Sequence, residues 1–163
     1  ELEDGNVCDI GELNVGGPAF INQIPLSINS DGSPYNNGQG WKTGYRISKS
    51  SGGESAFDGH ECTGFIKVNS KHSIIRTQNI GMNTNPEEGN WVVVGYDKNF
   101  TKLDTGNGVT IGALISSTDD NGVTTFKDLS LFTHFNDDNI AYIRLCSDKI
   151  DETSILTVDE EIK

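Results

Sequence analysis

Ile140-Ala141-Tyr142-Ile143-Arg144-Leu145-Cys146 alternates residue by residue. Ala141, Ile143 and Leu145 fall on one side, and Tyr142, Arg144 and Cys146 on the other. This two-residue period is that of an extended strand, not of a helix. Working backward, Trp91-Val92-Val93-Val94-Gly95-Tyr96 is apolar on both faces. A run of this kind belongs in the middle of a sheet covered on both sides. Residues 109–115, 123–126 and 129–133 read as further short strands. Asp119-Asp120-Asn121-Gly122 lies between the first two as a hairpin signal. Earlier still, Ser73-Ile74-Ile75-Arg76-Thr77-Gln78, Cys62-Thr63-Gly64-Phe65-Ile66-Lys67-Val68 and Thr43-Gly44-Tyr45-Arg46-Ile47-Ser48 are strand-like. A polar, glycine-rich loop is expected over residues 49–59, and another loop over 83–90. Forward of the opening stretch, Ile155-Leu156-Thr157-Val158 is a last short strand.

These runs amount to about nine short strands, at the spacing of about 8–12 residues expected of sandwiches and barrels. No amphipathic helix and no internal repeat is found. The predicted fold is all-β, an antiparallel β-sandwich of jelly-roll type, because two packed sheets bury the alternating faces. Residues 1–20 read as a lead-in or linker, and residues 21–163 as a single β-sandwich domain. Clusters such as Asn29-Ser30-Asp31-Gly32-Ser33-Pro34 make the early part irregular. Within it, residues 20–28 read as an extended segment pairing at a sheet edge.

The 163 residues suffice for one domain with a sizeable core, without a disulfide or metal. The net charge of −12 disfavours nucleic acid and anionic membrane surfaces as partners. No apolar run approaches the length of about 18 residues that a spanning helix needs. Cys8, Cys62 and Cys146 form no disulfide or metal-binding pattern, and read as buried thiols of a chain made in a reducing compartment. The chain opens on Glu1 without a signal-peptide pattern and reads as a segment of a longer polypeptide.

His60, His72 and His134 occur outside any zinc-ligand or H-E-x-x-H spacing, and each reads as a surface polar residue. No nucleophile elbow or phosphate-cradling loop is present. The expectation is therefore a protein that is not an enzyme. Carbohydrate is the ligand class that fits best, because sugar C–H faces pack on aromatic rings and hydroxyls pair with Asp, Asn and Arg. Tyr35 and Trp41 flank Asn36-Asn37-Gly38-Gln39-Gly40 and are candidate rings, readable equally as loop anchors. Tyr96-Asp97 at a strand end and Arg46 complete the candidate contacts, although a strand-face charge also describes Arg46. Trp91, among apolar neighbours, reads as core. No cofactor is required. Structural calcium is the one candidate ion, with Asp119 and Asp120 in one loop and Asp137 and Asp138 in another as oxygen donors. Neither loop has EF-hand spacing, and ordinary turn chemistry accounts for both.

Several stretches in order carry a resemblance. They are Asn22-Gln23-Ile24-Pro25-Leu26-Ser27, Gly44-Tyr45-Arg46-Ile47-Ser48, Gly52-Gly53-Glu54-Ser55-Ala56, Thr63-Gly64-Phe65-Ile66-Lys67-Val68, Gly95-Tyr96-Asp97, Ala141-Tyr142-Ile143-Arg144-Leu145 and Thr157-Val158-Asp159-Glu160-Glu161-Ile162. The set resembles a β-sandwich module of tail and minor structural proteins of bacteriophages and prophages of Gram-positive gut bacteria. It implies a jelly-roll-like fold and a place in a virion tail, made in the bacterial cytoplasm and acting outside it. The implied partners are other tail proteins and a host cell-surface glycan, with a homotrimer as a compatible assembly. The resemblance carries over no set of functional residues. A purely structural spacer, an accessory module of a larger enzyme and a bacterial surface adhesin domain are the rival readings.

Overall fold

A computed structural model describes residues 21–160. The lead-in expected over residues 1–20, including Cys8, lies outside the described residues. The described residues form ten strands: β1 (Trp41–Ile47), β2 (Glu54–Thr63), β3 (Ile66–Lys67), β4 (Ser73–Gln78), β5 (Val92–Tyr96), β6 (Val109–Thr110), β7 (Ile115–Thr118), β8 (Thr124–Phe126), β9 (Tyr142–Ser147) and β10 (Ile155–Glu160). A six-stranded sheet has the order β1-β2-β9-β5-β6, with β3 also paired to β9. A four-stranded sheet has the order β10-β4-β8-β7. Every pairing is antiparallel. The fold is thus the all-β sandwich that the alternation predicts.

The sandwich core follows from the strand periods. Ile143 and Leu145 of β9, Val93 of β5 and Ile66 of β3 meet Ile75 of β4, Phe126 of β8 and Leu156 of β10 between the sheets. The other face of β9 and β5 carries Cys146, Val92, Val94 and Tyr96, and forms a second cluster with Tyr35, Ile47 and Cys62. That outer face is covered by the β1–β2 hairpin. In the hairpin the register shifts between Thr43 and Tyr45, so that β2 carries extra residues opposite Gly44. Gly44 and Gly59 both take φ +85, a conformation that side chains oppose, which lets both strands bend there. Beyond the bend the hairpin lies against the sheet: Tyr96 Oη donates to the Gly52 carbonyl at 2.6 Å, and Gly108 N–H donates to the Lys49 carbonyl at 2.8 Å.

Four local expectations are corrected. The loop expected over residues 49–59 is strand from Glu54 onward; its outer face stays in water, so it shows no apolar alternation. Residues 109–115 are not one strand. After β6 comes a single helical turn, Ile111–Leu114, and then β7 begins. The turn places both Ile111 and Leu114 in the core, whereas in a strand these positions would face opposite ways. Gly112 is required there, since a Cβ would lie 2.5 Å from the Asn85 carbonyl carbon. Residues 129–133 contain a 3-10 turn, Leu129–Leu131, in place of a strand; Asp128 caps it by accepting from Ser130 N–H at 2.9 Å. Finally, residues 21–28 touch the sheets without forming a strand, through Gln23 N–H to the Leu156 carbonyl and a bridge from Ile28 to Phe65.

Candidate functional site

A cleft of about 590 Å³ lies at one end of the sandwich. It forms where the turn after β5 meets the loop that leads into β9. Asp97 starts the first wall: its Oδ1 accepts the N–H groups of Asn99 and Thr101 at 2.9 and 3.1 Å. Asp97 N–H donates to the Thr101 carbonyl, which closes the turn. Phe100 completes it with φ +63, a left-handed conformation uncommon for a bulky residue. Asp137 orders the second wall in the same way, its Oδ1 accepting from Asn139 N–H at 2.8 Å. Exposed Asp138 pairs with Lys71 Nζ at 2.9 Å, and the hydrogen bond and charge of that ammonium lower its pKa. Lys102 Nζ is tied to the Leu103 and Gly106 carbonyls at 3.0 and 2.6 Å. Leu103 and Ile140 supply an apolar floor.

Asp104 and the outer oxygens of Asp97 and Asp137 carry no hydrogen bond to protein groups among the described residues. Asn99, Asn139 and Lys98 add donors around the same opening. This is a set of hydroxyl-matching groups over a small apolar patch. The cleft joins Asp97, expected as a sugar contact, to Asp137 and Asp138, expected as calcium ligands. No local pattern in the sequence marks Asp104 or Lys98, which the fold adds to the opening.

The other expected contacts lie elsewhere. Tyr35 is 3% exposed and Tyr96 2%, so neither ring offers a face to a ligand. Tyr96 is fixed to the hairpin, as described above. Tyr35 Oη donates to Glu54 Oε1 at 2.6 Å, and burial pushes its pKa well up. Trp41 is half-buried against the sandwich core. Arg46 Nη1 donates to Asn90 Oδ1 at 2.8 Å, and the guanidinium lies over the Phe57 ring, so it ties the hairpin to the loop before β5. The Tyr35–Trp41 platform therefore does not form, because the fold uses these rings for packing. Trp91 packs against the core, as expected, and its indole N–H donates to Asp148 Oδ1 at 3.2 Å.

Asp119 Oδ1 accepts from Asn121 and Val123 N–H groups in the β7–β8 turn, and exposed Asp120 stands beside it. Among the described residues no group of three or more His, Cys, Asp or Glu side chains is placed to hold a metal. His60 and His134 are buried, contrary to the surface placement expected. His134 Nε2 accepts the Gly95 N–H at 2.9 Å, and His60 sits edge-on between Phe57 and Trp91. His72 Nδ1 lies 3.2 Å from Asp128 Oδ2, with Ser73 next in sequence. Ser73 Oγ is buried and accepts from Asn69 and Ser70 N–H groups, which gives it a turn-closing role. No described helix is long and apolar enough to cross a membrane.

Compared with known proteins, the chain matches no family model, and neither a curated protein nor a solved structure shows significant similarity to it.

Proposed function

We propose that this chain is a non-catalytic β-sandwich module of a bacteriophage or prophage tail, and that it contacts host cell-surface carbohydrate through the end cleft. The observation that carries the ligand class is the meeting of Asp97, Asp104, Asp137 and Asp138 with Asn99 and Asn139 around one opening. Carboxylate and amide groups at a sandwich end match the hydroxyls of a glycan, and loops held by a rigid sheet are where recognition concentrates. The tail setting is supported by the ordered stretches from Asn22 to Ile162 and by the two-sheet fold. In a homotrimeric tail, alongside other tail proteins, weak contacts of this kind gain avidity from repetition.

A second reading, a spacer or decoration domain, is favoured by one observation: no Trp, Tyr or Phe side chain among the described residues is exposed. A screen of the domain against bacterial cell-wall and capsular glycans at high ligand density separates the two. The expected result is reproducible binding to one glycan class. Asp104→Ala with Asp138→Ala should abolish it and change Tm little, since both side chains are exposed and the Lys71–Asp138 contact is a surface ion pair. Silence across the screen would leave the spacer reading. Binding that survives the double substitution would move the contact away from the cleft.

A further inference from the structure

Cys62 and Cys146 stand directly opposite each other in the β2–β9 pairing. The neighbouring register shows which kind of pair they form. Leu145 N–H donates to Thr63 Oγ1 at 3.1 Å, so it points toward β2. Backbone N–H groups alternate sides along a strand, so the Ser147 N–H also points to β2. The Cys146 N–H then points away, toward its partner Val92 on β5. Cys62 and Cys146 are therefore a non-hydrogen-bonded pair, the kind whose side chains approach most closely, with Cα atoms about 4.5 Å apart. Disulfides span Cα separations of about 4.4–6.8 Å, so the strands need not move far, if at all, to accept one. Both thiols are free, fully buried and part of one apolar cluster.

The two sulfurs are enclosed by the hairpin together with Tyr35, Asn90 and Arg144. Cys146 Sγ lies 3.7 Å from the Ile47 carbonyl of β1 and 3.2 Å from that of Asn90. Cys62 Sγ lies 3.4 Å from Tyr35 Oη and 3.9 Å from Arg144 Nη2. Burial raises both thiol pKa values, that of Cys62 to about 11, so thiolate is scarce while the hairpin is closed. Local opening of the hairpin would admit water and an oxidant.

We propose that Cys62 and Cys146 are a latent cross-strand dithiol, which a small-molecule disulfide oxidises to a bond fastening β2 and its hairpin to β9. One cysteine thiolate attacks the oxidant's S–S bond, forms a mixed disulfide and releases one small thiolate. The facing thiolate then attacks the protein sulfur of that mixed disulfide. The Cys62–Cys146 bond closes and the second small thiolate leaves. Two electrons pass from the protein sulfurs to the oxidant, and the two thiol protons go to the released thiolates. This inference does not depend on the proposed ligand or tail setting.

The test uses the full chain and oxidised glutathione, first in native buffer and then in urea below the unfolding midpoint. Remaining thiols are alkylated, and the cross-links are mapped by mass spectrometry of a non-reduced digest. The expected product joins the peptide of Cys62 to that of Cys146, the pair together having lost two hydrogens and neither carrying glutathione. Its Tm should exceed that of the reduced chain, and reduction should reverse the gain. Cys62 and Cys146 thiols that stay free in both conditions, stable glutathione adducts at either of them, or cross-links that join either to Cys8 would each overturn the proposal.

Discussion

Tyr35 and Trp41 bracket a glycine- and asparagine-rich turn, and from sequence that setting suits a ligand ring and a loop anchor equally. Residue identity was legible there, but direction was not, because nothing local says that Tyr35 turns inward to meet Glu54 and Arg144. The histidines teach the same lesson. His134 is 2% exposed, and its environment has a consequence for pH. Burial, aided by the charge of Lys102, lowers its pKa from 6.5 to about 4, against opposing contributions from the Gly106 carbonyl and Asp137. His60 is lowered in the same direction, again chiefly by burial. A group whose folded pKa is depressed binds more protons in the unfolded chain across the window between the two values. The stability it contributes is complete above 6.5 and is lost as pH falls to about 4. Tm measured against pH should therefore fall across that window, and His134→Asn should flatten the profile. A wild-type Tm constant from about 6.5 to about 4 would refute this account.

At the scale of elements, the β1–β2 hairpin departs furthest from expectation. Its first strand is legible, but half of its second reads as loop, since residues 54–59 carry no two-residue apolar period. What makes them strand is pairing with β1, together with an ionic clamp. Arg144, 5% exposed on β9, donates from Nη2 to Glu54 Oε1 at 2.7 Å and from Nε to the Thr63 carbonyl at 2.9 Å. Lys42 Nζ holds Glu54 Oε2 at 2.8 Å, and the Arg144 guanidinium lies over the Tyr35 and Phe65 rings. Burial by itself would raise the Glu54 pKa. Hydrogen bonds from Lys42, Tyr35 and Arg144, with the guanidinium charge, outweigh it and bring the value down to about 2. Removing one partner leaves a buried charge unpaired, which costs about 3–5 kcal/mol. Glu54→Gln should thus lower the urea midpoint by an amount equivalent to about 3 kcal/mol, near the lower bound because Glu54 is partly hydrated. It should also speed hydrogen exchange in β1 and the start of β2 before the sandwich core exchanges. A change below about 0.5 kcal/mol would place this clamp among ordinary surface ion pairs.

At the scale of the whole molecule, the charge of −12 sets a general response. Like charges on a compact body repel one another, and salt screens that repulsion over about 10 Å at 0.1 M. Adding sodium chloride should therefore raise Tm by a few degrees. A Tm that falls with salt would mean that ion pairs such as Lys71–Asp138 and Arg76–Asp159 outweigh the net repulsion. The fold class was legible because it depends on local patterns: the periods of β9 and β5, and the Asp119–Gly122 turn chemistry, each reflect backbone geometry within a few residues. By itself the sequence determined an all-β chain with alternating strands, an acidic composition and, at Cys62 and Cys146, buried thiols. Only the tertiary structure decided that Asp97 meets Asp137, that Glu54 meets Arg144, and that Cys62 faces Cys146. Those contacts join residues tens of positions apart, and they depend on strand register, which no local pattern encodes and which packing of the whole core selects.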